Sequence, residues 1–441
     1  METPEKPSFK EALTFWFKLG WISFGGPAGQ IAIMHTYLVE QKRWISEKKF
    51  LHALNYCMLL PGPEAQQLAT YTGWLLHGKR GGLAAGILFV LPSAFILLIL
   101  SILYVQFGHI AEVNALFEGL KPAVVAIVAL AMVKIGKRSL KYALHVAIAI
   151  LSFVAIYFFN FPFPAIIGLI LLFGLLALWL KPSLLHPSGQ QSGTDDDESG
   201  YFLTTATVLP HTGFEPLRLV KQIGVFGMAW LLPFILLTNI GDRELWSNVV
   251  LFFSQAAFVT FGGAYAVLPY VSQQAVEHYQ WLGHLQMIDG LALGETTPGP
   301  LIMVLAFVGF MAGYGYSGSL AMGTLGLFAT TYYTFLPCFL FIFAGAPLIE
   351  KTQQNPNIKA VLGLVTAAVT GVILNLTLYF AEAVVYGKHI TTWSDIRPEN
   401  IHPFALIWIV ISLIAMGRFK IGMITWIGIS AIFGLITYLL A

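Results

Sequence analysis

Long apolar runs alternate with short polar or glycine- and proline-containing breaks along this chain. A helix needs about 20 apolar residues to cross the ~30 Å hydrocarbon core of a bilayer, so the long runs predict membrane-spanning helices. These predicted spans lie at 83–106, 119–136, 142–160, 164–181, 219–240, 320–345, 360–380, 403–417 and 421–440. Four further apolar regions, at 9–40, 50–78, 246–276 and 285–315, are each interrupted by glycine or proline. The pattern predicts an all-α polytopic membrane protein.

Composition excludes the main alternative classes. Hydrophobic residues make up 57% of the 441 residues and charged residues only 10%, whereas a soluble domain has about 25% charged residues. The two cysteines form no redox or metal-binding pattern, and no histidine pair has metal-ligand spacing. A net charge of +2 gives no indication of nucleic-acid binding. We therefore expect no cofactor, no metal and no nucleic-acid partner.

A polar segment divides the apolar chain into two halves. Residues 182–216 are rich in Ser, Gly, Pro and Thr and include an Asp-Asp-Asp-Glu run at 195–198, a composition typical of disordered linkers. We therefore predict a first transmembrane repeat at 1–181, a disordered cytoplasmic linker at 182–216 and a second transmembrane repeat at 217–441.

The two halves carry the same unusual sequence features 237 residues apart. The Phe-Gly-Gly sequence at 24–26 recurs at 261–263, and the Pro-Gly-Pro sequence at 61–63 recurs at 298–300. No gap is needed between the two pairs, and further glycines match after them. Agreement at this level indicates a tandem duplication.

Helix length and positive charge predict that the two repeats are inverted. The helices on either side of each break have about 14 residues, or ~21 Å, which is too short to cross the core. Each pair is therefore expected to enter and return on one side of the membrane as a re-entrant hairpin. If the basic segments 40–49 and 78–82 are cytoplasmic, the hairpins of the second repeat open outside, and only four of the 24 Lys and Arg residues lie on the outer side.

Broken helices in inverted repeats are typical of secondary transporters, whose substrate site lies at the breaks. Proline suits a helix start, glycine lets a ligand approach the backbone, and each new helix presents its first N–H groups at its positive dipole end. Four such N-termini predict an oxyanion site made of backbone amides, with neighbouring hydroxyls as further donors. The predicted substrate-binding residues are Ser23, Gly25, Gly26, Gly62, Pro63, Glu64, Thr260, Gly262, Gly263, Thr296, Thr297, Gly299 and Pro300. Close helix packing is the alternative interpretation of the glycines.

Glu64 and Glu295 are the candidate coupling residues. Glu64 follows the first Pro-Gly-Pro directly, and Glu295 lies three residues before the second. A carboxylate within the membrane indicates a functional group such as a proton-binding site, and a bound anion would favour protonation of Glu64. Capping of a helix N-terminus is an equal alternative for Glu64. Asp289, by contrast, is expected to be solvated at a hairpin entrance.

Lys121 and Lys359 occupy matching positions at the start of matching spans. Two interpretations stay open for this pair. The side chains snorkel toward the membrane interface, or they attract the anion at the two mouths of the pathway.

The sequences around the breaks resemble a known family. FGGPAGQIAIM, LLPGPEAQQLATYTGWLLHGKRGGLAAGILFVLPS, FGGAYAVLPYV and DGLALGETTPGPLIMV are similar to the paired signatures of the chromate ion transporter (CHR) family. Its long-chain members have two homologous halves, and the resemblance covers about 15–140 and 250–375. It implies efflux of chromate, a tetrahedral dianion, and chromate resistance, with sulfate as a competitor or alternative substrate.

Residues and resemblance together predict a secondary transporter, not an enzyme, that exports chromate through the inner (plasma) membrane, with or without proton coupling. No P-loop motif is present, which argues against direct use of ATP. A passive anion channel and a transporter of sulfate or another inorganic anion are the alternatives. A chromate reductase is disfavoured because no haem, flavin or thiol motif is present. The expected partners are chromate and the lipid bilayer, and a homodimer is left open.

Overall fold

The computed structural model describes residues 5–180, 185, 198–207, 209, 213, 215–349, 356–387 and 401–440, which are predominantly helical. The helices of the first half are α1 (Phe9–Ile22), α2 (Gly26–His35, continued by a π-helical segment Thr36–Gln41), α3 (Glu47–Cys57), α4 (Glu64–Phe107), α5 (Ala111–Ser139), α6 (Ala143–Phe159) and α7 (Phe163–Leu180). The second half begins with α8 (Pro216–Leu237), α9 (Arg243–Val259), α10 (Ala264–Ser272, continued by π-helical Gln273–His278) and α11 (His284–Thr296). It continues with a 3₁₀ turn (Leu301–Met303), α12 (Val304–Ser317), α13 (Leu320–Leu340, continued by π-helical Phe341–Gly345), α14 (Ala346–Ile349), α15 (Pro356–Tyr386), α16 (Pro403–Gly417) and α17 (Met423–Leu440).

Seven helical segments in the described part of the chain are long and apolar enough to cross a membrane. They are Glu64–Phe107, Ala111–Ser139, Phe163–Leu180, Pro216–Leu237, Leu320–Gly345, Ala360–Tyr386 and Met423–Leu440. The predicted spans at 142–160 and 403–417 are also helical but shorter, at 17 and 15 residues. The prediction of an all-α, multi-pass membrane protein is confirmed.

Helix α4 consists of two arms that fold back on each other. Its backbone leaves the helical region at His77 (φ −135°, ψ 23°) and Gly78 (φ 61°, ψ −154°). A Cβ added to Gly73 would lie only 2.7 Å from the Cβ of Ala85, although twelve residues of straight helix would separate them by ~18 Å. We call 64–76 the N-terminal arm of α4 and the part after the break its C-terminal arm.

The second repeat contains the same fold-back between α12 and α13. Gly309 packs directly against the backbone of Gly326, and Gly313 against that of Met322. Small residues at both contacts let the two helices approach closely. The re-entrant course of the hairpins through the membrane stays a prediction.

The duplication extends to details of the backbone. The π-helical segments 36–41 and 273–278 are 237 residues apart, and so are Arg43 and Gln280, which both have positive φ angles, of 51° and 54°. Non-glycine residues rarely adopt this conformation. Its occurrence at the same place in both repeats therefore shows that they share a local fold as well as a sequence pattern.

Equivalent helices of the two repeats run in opposite directions. The C-terminal arm of α4 corresponds to α13 by the 237-residue offset, and the two pack side by side. Gly82 lies against Phe343 at one end of this contact, and the rings of Phe95 and Phe328 are 6.1 Å apart further along it. Residue numbers rise along one helix as they fall along the other, so the helices are antiparallel and the repeats are inverted.

The last two helices of each repeat pack against the long central helix of the other. Helices α6 and α7 lie against α15, and α16 and α17 lie against α5. Gly371 of α15 abuts the backbone of Ala149 in α6, and Gly119 of α5 abuts that of Ser430 in α17. This exchange of helices ties the two repeats together around α5 and α15.

Part of the predicted linker packs on the first repeat. The backbone N–H of Ser46 donates to the carbonyl of Leu203 (2.8 Å), and the Leu203 side chain is fully buried. The carboxylate of Glu198 accepts a hydrogen bond from Ser46 Oγ (2.9 Å). Backbone pairing and a buried leucine thus attach residues 198–205 to the first repeat. Most of the rest of 182–216 lies outside the described residues.

Candidate functional site

Two reciprocal hydrogen bonds bring the four breaks together in pairs. The N–H of Gly62 donates to the carbonyl of Thr260 (2.7 Å), and the N–H of Gly299 donates to the carbonyl of Ser23 (2.7 Å). Gly299 is the counterpart of Gly62, and Thr260 is the counterpart of Ser23, so the second bond repeats the first across a pseudo-two-fold axis. Each Pro-Gly-Pro sequence therefore contacts the segment before the Phe-Gly-Gly of the other repeat.

The central glycine of each Pro-Gly-Pro sequence has no room for a side chain. Gly62 and Gly299 have φ angles of 121° and 102°, which favour glycine strongly. A Cβ on Gly62 would lie 2.8 Å from Sγ of Cys338, and a Cβ on Gly299 would overlap the hydroxyl of Ser93. That hydroxyl donates to the carbonyl of Pro298. Conformation and close packing both require glycine at these two positions.

The Phe-Gly-Gly breaks are more open. Gly25, Gly26, Gly262 and Gly263 have φ angles between 73° and 96°. A Cβ on Gly25, Gly26 or Gly263 would meet no described heavy atom within 4 Å. The space beside these three glycines lets a ligand approach the backbone.

The amides available to an anion are fewer than the sequence analysis predicts, because the reciprocal bonds occupy those of both Pro-Gly-Pro glycines. Pro63 is the N-cap of α4, one position before the first turn, and the first helical bond runs from Gln67 N to Pro63 O (3.0 Å). No side chain caps this N-terminus. The helix start therefore presents three N–H groups, those of Glu64, Ala65 and Gln66.

The second repeat begins its corresponding helix more tightly. Pro300 is again an N-cap residue, but it precedes a 3₁₀ turn in which Met303 N donates to Pro300 O (2.9 Å). Helix α10 also begins with a short bond, from Ala266 N to Gly263 O (3.1 Å). A 3₁₀-type bond satisfies one N–H that an α-helical start would leave unpaired, so this repeat presents fewer N–H groups at its breaks.

The four predicted hydroxyls donate within their own helices. Ser23 and Thr260 are fully buried, and each hydroxyl donates to the carbonyl four residues earlier at 2.6 Å. The hydroxyls of Thr296 and Thr297 donate to carbonyls three residues earlier, at 2.8 and 2.9 Å. In this conformation their hydrogens point to the backbone rather than to a ligand.

Three buried glutamines surround the breaks and are not among the predicted substrate-binding residues. Nε2 of Gln30 donates to the carbonyl of Gly299 (2.6 Å), and Nε2 of Gln67 donates to that of Pro61 (2.7 Å). Gln66 is fully buried beside them. The Oε1 atoms of all three accept no hydrogen bond from the described part of the chain. Their counterparts in the second repeat are apolar: Val267, Met303 and Val304. Amides inside apolar runs of one repeat alone were the signal that could have identified them.

The two candidate coupling carboxylates have different surroundings. Glu295 is 5% exposed, and its Oε1 accepts a hydrogen bond from the hydroxyl of Tyr265 (2.6 Å), two residues after Gly263. Glu64 is half-buried at the start of α4. Glu295 therefore connects α11 with the start of α10, whereas Glu64 lies in the first turn of α4.

Lys121 and Asp289 form a buried pair between the repeats, with side chains 5% and 6% exposed and 3.9 Å between Nζ and Oδ1. The Tyr104 hydroxyl donates to Asp289 Oδ2 (2.9 Å), and Lys121 Nζ donates to Glu118 Oε1 (2.6 Å). The expectation that Asp289 is solvated is wrong, because α4 and α5 cover it. Lys121 is likewise buried. The side chain of Lys359 lies outside the described residues.

Comparisons with known proteins agree with this organisation. A sequence model of the family described as chromate transporter matches residues 10–178 and 247–435. The chain is 29% identical over 369 residues to a probable chromate transport protein of Synechococcus elongatus, covering 83% of each chain. It is 29% identical over 384 residues to a chromate transport protein of Cupriavidus metallidurans, covering 85% of this chain and 83% of the relative. It is also 29% identical over 384 residues to a chromate transport protein of Pseudomonas aeruginosa, covering 86% of this chain and 82% of the relative. No solved structure matches the chain.

Proposed function

The chain belongs to the chromate transporter family, and from that premise we propose that it is a proton-coupled secondary transporter that exports chromate across the inner (plasma) membrane and confers chromate resistance. The observation that carries this proposal is the reciprocal pair of hydrogen bonds between Gly62 and Thr260 and between Gly299 and Ser23. These bonds unite four helix breaks at the contact between inverted repeats, where secondary transporters bind their substrates.

The first repeat supplies the groups that suit a dianion. The N–H groups at the start of α4 lie at the positive end of its helix dipole, and the open space beside Gly25 and Gly26 adjoins a second helix start. Backbone amides bind an oxyanion without a permanent positive charge. An uncharged site holds a substrate while still allowing its release, as transport requires.

The inverted repeats support an alternating-access cycle. Each repeat closes one reciprocal hydrogen bond with the other, and both bonds are formed in this structure. Opening the bond at Gly62 would separate one pair of breaks, and opening the bond at Gly299 would separate the other. Because the repeats have opposite orientations, these two openings face opposite sides of the membrane. Glu64 and Glu295 lie beside the two pairs and carry the coupling.

Chromate accumulation in inside-out membrane vesicles tests this function. We expect vesicles containing the protein to accumulate chromate against its gradient when a pH difference is imposed, and we expect a protonophore to abolish the accumulation. Sulfate, a dianion of the same shape, should compete for uptake. Equilibration without accumulation, unaffected by the protonophore, would instead identify a passive anion channel.

Vesicles carrying the Gly224→Val variant provide a matched control. Gly224 lies on α8, where a Cβ would meet no described atom within 4 Å, so this variant should transport like the unchanged protein. Sulfate accumulation without any chromate accumulation would contradict chromate as the substrate.

A further inference from the structure

The buried cluster around Asp289 is not used by the transport site described above. We propose that Asp289 is a proton-binding site, and that its protonation ends the attraction between Lys121 and Asp289, leaves Lys121 paired with Glu118 alone and loosens the contact between the repeats. This proposal rests on the proton coupling proposed above, and it adds a third carboxylate to the coupling residues.

Lys121 lies between two carboxylates of opposite exposure. Its Nζ is 2.6 Å from Oε1 of Glu118 and 3.9 Å from Oδ1 of Asp289. The side chain of Glu118 is 54% exposed, whereas that of Asp289 is 6% exposed. The ammonium group of Lys121 thus interacts with one exposed and one buried carboxylate.

Each protonation state of Asp289 has a suitable set of neighbours. An ionised Asp289 is stabilised by the charge of Lys121 at Oδ1 and by the Tyr104 hydroxyl at Oδ2. Its Oδ1 accepts no hydrogen bond from any described residue, so a proton can bind there without displacing a donor. Once Asp289 is neutral, Lys121 retains Glu118 as its partner. Neither protonation state leaves a buried charge unpaired, and an unpaired buried charge is what usually destabilises such clusters. A switch needs two states that are both stable in this way.

The position of the pair connects it to the transport site. Lys121 is on α5 of the first repeat and Asp289 on α11 of the second, so their attraction joins the two repeats. Asp289 precedes Glu295 by six residues, or ~9 Å along the helix, and α11 leads directly into the second Pro-Gly-Pro. Loss of the attraction would free the hairpin that carries the Gly299 hydrogen bond.

The cluster occurs in one repeat only. The counterpart of Asp289 is His52, and the counterpart of Tyr104 is Phe341. Neither can reproduce the carboxylate–phenol contact. The switch therefore acts on the second hairpin alone, which gives the two halves of the cycle different dependence on pH.

Groups on every element packed against α11 define the electrostatics of Asp289. Tyr104 of α4 donates to Asp289, Lys121 of α5 pairs with it, and Glu118 of α5 shares Lys121. Helix α15 contributes Tyr379, which contacts His284 at the start of α11. Helix α15 also carries Lys359, Glu382 and Tyr386, and the remaining neighbours, α12, α17 and the 3₁₀ turn, carry only tyrosines as titratable residues. The other titratable groups of α11 itself are His284 and Glu295.

The test compares Asp289→Asn, Glu118→Gln and a control, Glu112→Gln, an exposed residue of the same helix α5. Each full-length protein is reconstituted in vesicles and assayed for chromate counterflow at equal pH and for accumulation driven by a pH difference. We expect Asp289→Asn to lose accumulation by about 10-fold or more while counterflow stays within about 2-fold. Glu118→Gln should leave Lys121 with Asp289 alone and move the pH midpoint of transport to more acid values, and Glu112→Gln should change nothing.

Infrared difference spectroscopy provides a readout that does not depend on transport. Acidification of the unchanged protein should produce a protonated-carboxyl stretching band, and the part of this band lost in Asp289→Asn belongs to Asp289. If that band is unchanged in Asp289→Asn, or if Glu118→Gln leaves the pH midpoint in place, the switch is refuted. If the unchanged protein shows no pH-driven accumulation but does show the Asp289 band, proton coupling fails while proton binding at Asp289 stands. If Asp289→Asn does not fold, the pH midpoint of transport in the exposed variant Glu118→Gln still tests the switch.

Discussion

The first repeat supplies buried amide side chains to the Pro-Gly-Pro breaks, whereas the second repeat supplies buried carboxylates near them. Gln67 donates to Pro61 of its own repeat and Gln30 donates to Gly299 of the second, whereas the buried carboxylates Glu295 and Asp289 both lie on α11 of the second repeat. The backbones of the two regions are nonetheless alike in their positive φ angles and in the reciprocal hydrogen bonds. The two hairpins are therefore the same structure with different chemistry.

This difference separates what the fold requires from what each site does. Positive φ angles and close packing leave glycine as the residue for each Pro-Gly-Pro, so both copies must retain it. The side chains around the breaks carry no such backbone constraint. We infer that the first hairpin pair holds the substrate and that the second responds to protons, and the substitutions below test this division from the largest expected effect to the smallest.

The backbone of the breaks should be the most sensitive feature in both repeats. Gly62→Ala and Gly299→Ala each place a Cβ at a positive φ angle and against a packed neighbour. We expect chromate accumulation to fall about 100-fold in each, equivalent to roughly 2.7 kcal/mol. The measurement is initial uptake into vesicles at equal protein content, with Gly224→Ala on α8 as the control. Normal uptake by either break variant would show that this backbone geometry is dispensable.

The coupling carboxylates should differ between the repeats. Glu295 is buried with Tyr265 as its hydrogen-bond donor, whereas Glu64 is half-buried at the start of α4. We expect Glu295→Gln to reduce pH-driven accumulation by about 10-fold, with a smaller reduction in Glu64→Gln. Accumulation measured across a series of imposed pH differences distinguishes the two variants, and equal losses in both would contradict a division of labour.

Truncation of a break-binding amide of the first repeat should reduce uptake, whereas truncation of its apolar counterpart in the second repeat should not. Gln30→Ala leaves the carbonyl of Gly299 without its 2.6 Å donor, and an unpaired buried polar group costs about 1–3 kcal/mol. We therefore expect an approximately 10-fold loss of uptake at an unchanged pH profile. The equivalent truncation in the second repeat, Val267→Ala, removes only apolar contacts and should retain uptake within about 2-fold. Similar losses in both variants would indicate a packing effect.

The smallest expected effect concerns the segment that packs on the first repeat. The carboxylate of Glu198 accepts hydrogen bonds from Ser46 Oγ (2.9 Å) and from Thr205 (2.7 and 3.0 Å). Glu198→Gln should lower the free energy of unfolding by about 0.5–1 kcal/mol without changing uptake. Thermal unfolding of the purified protein measures the first quantity, and a clear loss of uptake would assign this segment a role in transport.

Local features of the chain were readable from the sequence because they depend on nearby residues. Apolar run length is enough to predict membrane helices such as α5 and α13. The two Pro-Gly-Pro sequences mark helix starts because proline and glycine act on the backbone directly. The duplication was also readable, because it follows from comparing short sequence features that lie 237 residues apart.

Features that depend on distant contacts were not readable in this way. Asp289 looked like a solvated residue because its neighbours along the chain are unremarkable, yet Tyr104 and Lys121 bury it from other helices. The glutamines were overlooked because their hydrogen bonds join segments far apart in sequence, such as Gln30 and Gly299. The Glu198 contact with Ser46 likewise spans residues that composition alone assigns to a linker.

The sequence by itself determined the class of the protein, its tandem repeats and the places where its helices break, because hydropathy, proline and glycine act within a few residues. Only the tertiary structure decided which breaks meet and which polar groups they use. The reciprocal bonds of Gly62 and Gly299 require the two repeats to pack antiparallel, and burial of Lys121 with Asp289 requires helices from both halves. Such contacts arise when separate apolar segments pack together, and the physical chemistry of any one segment does not specify them.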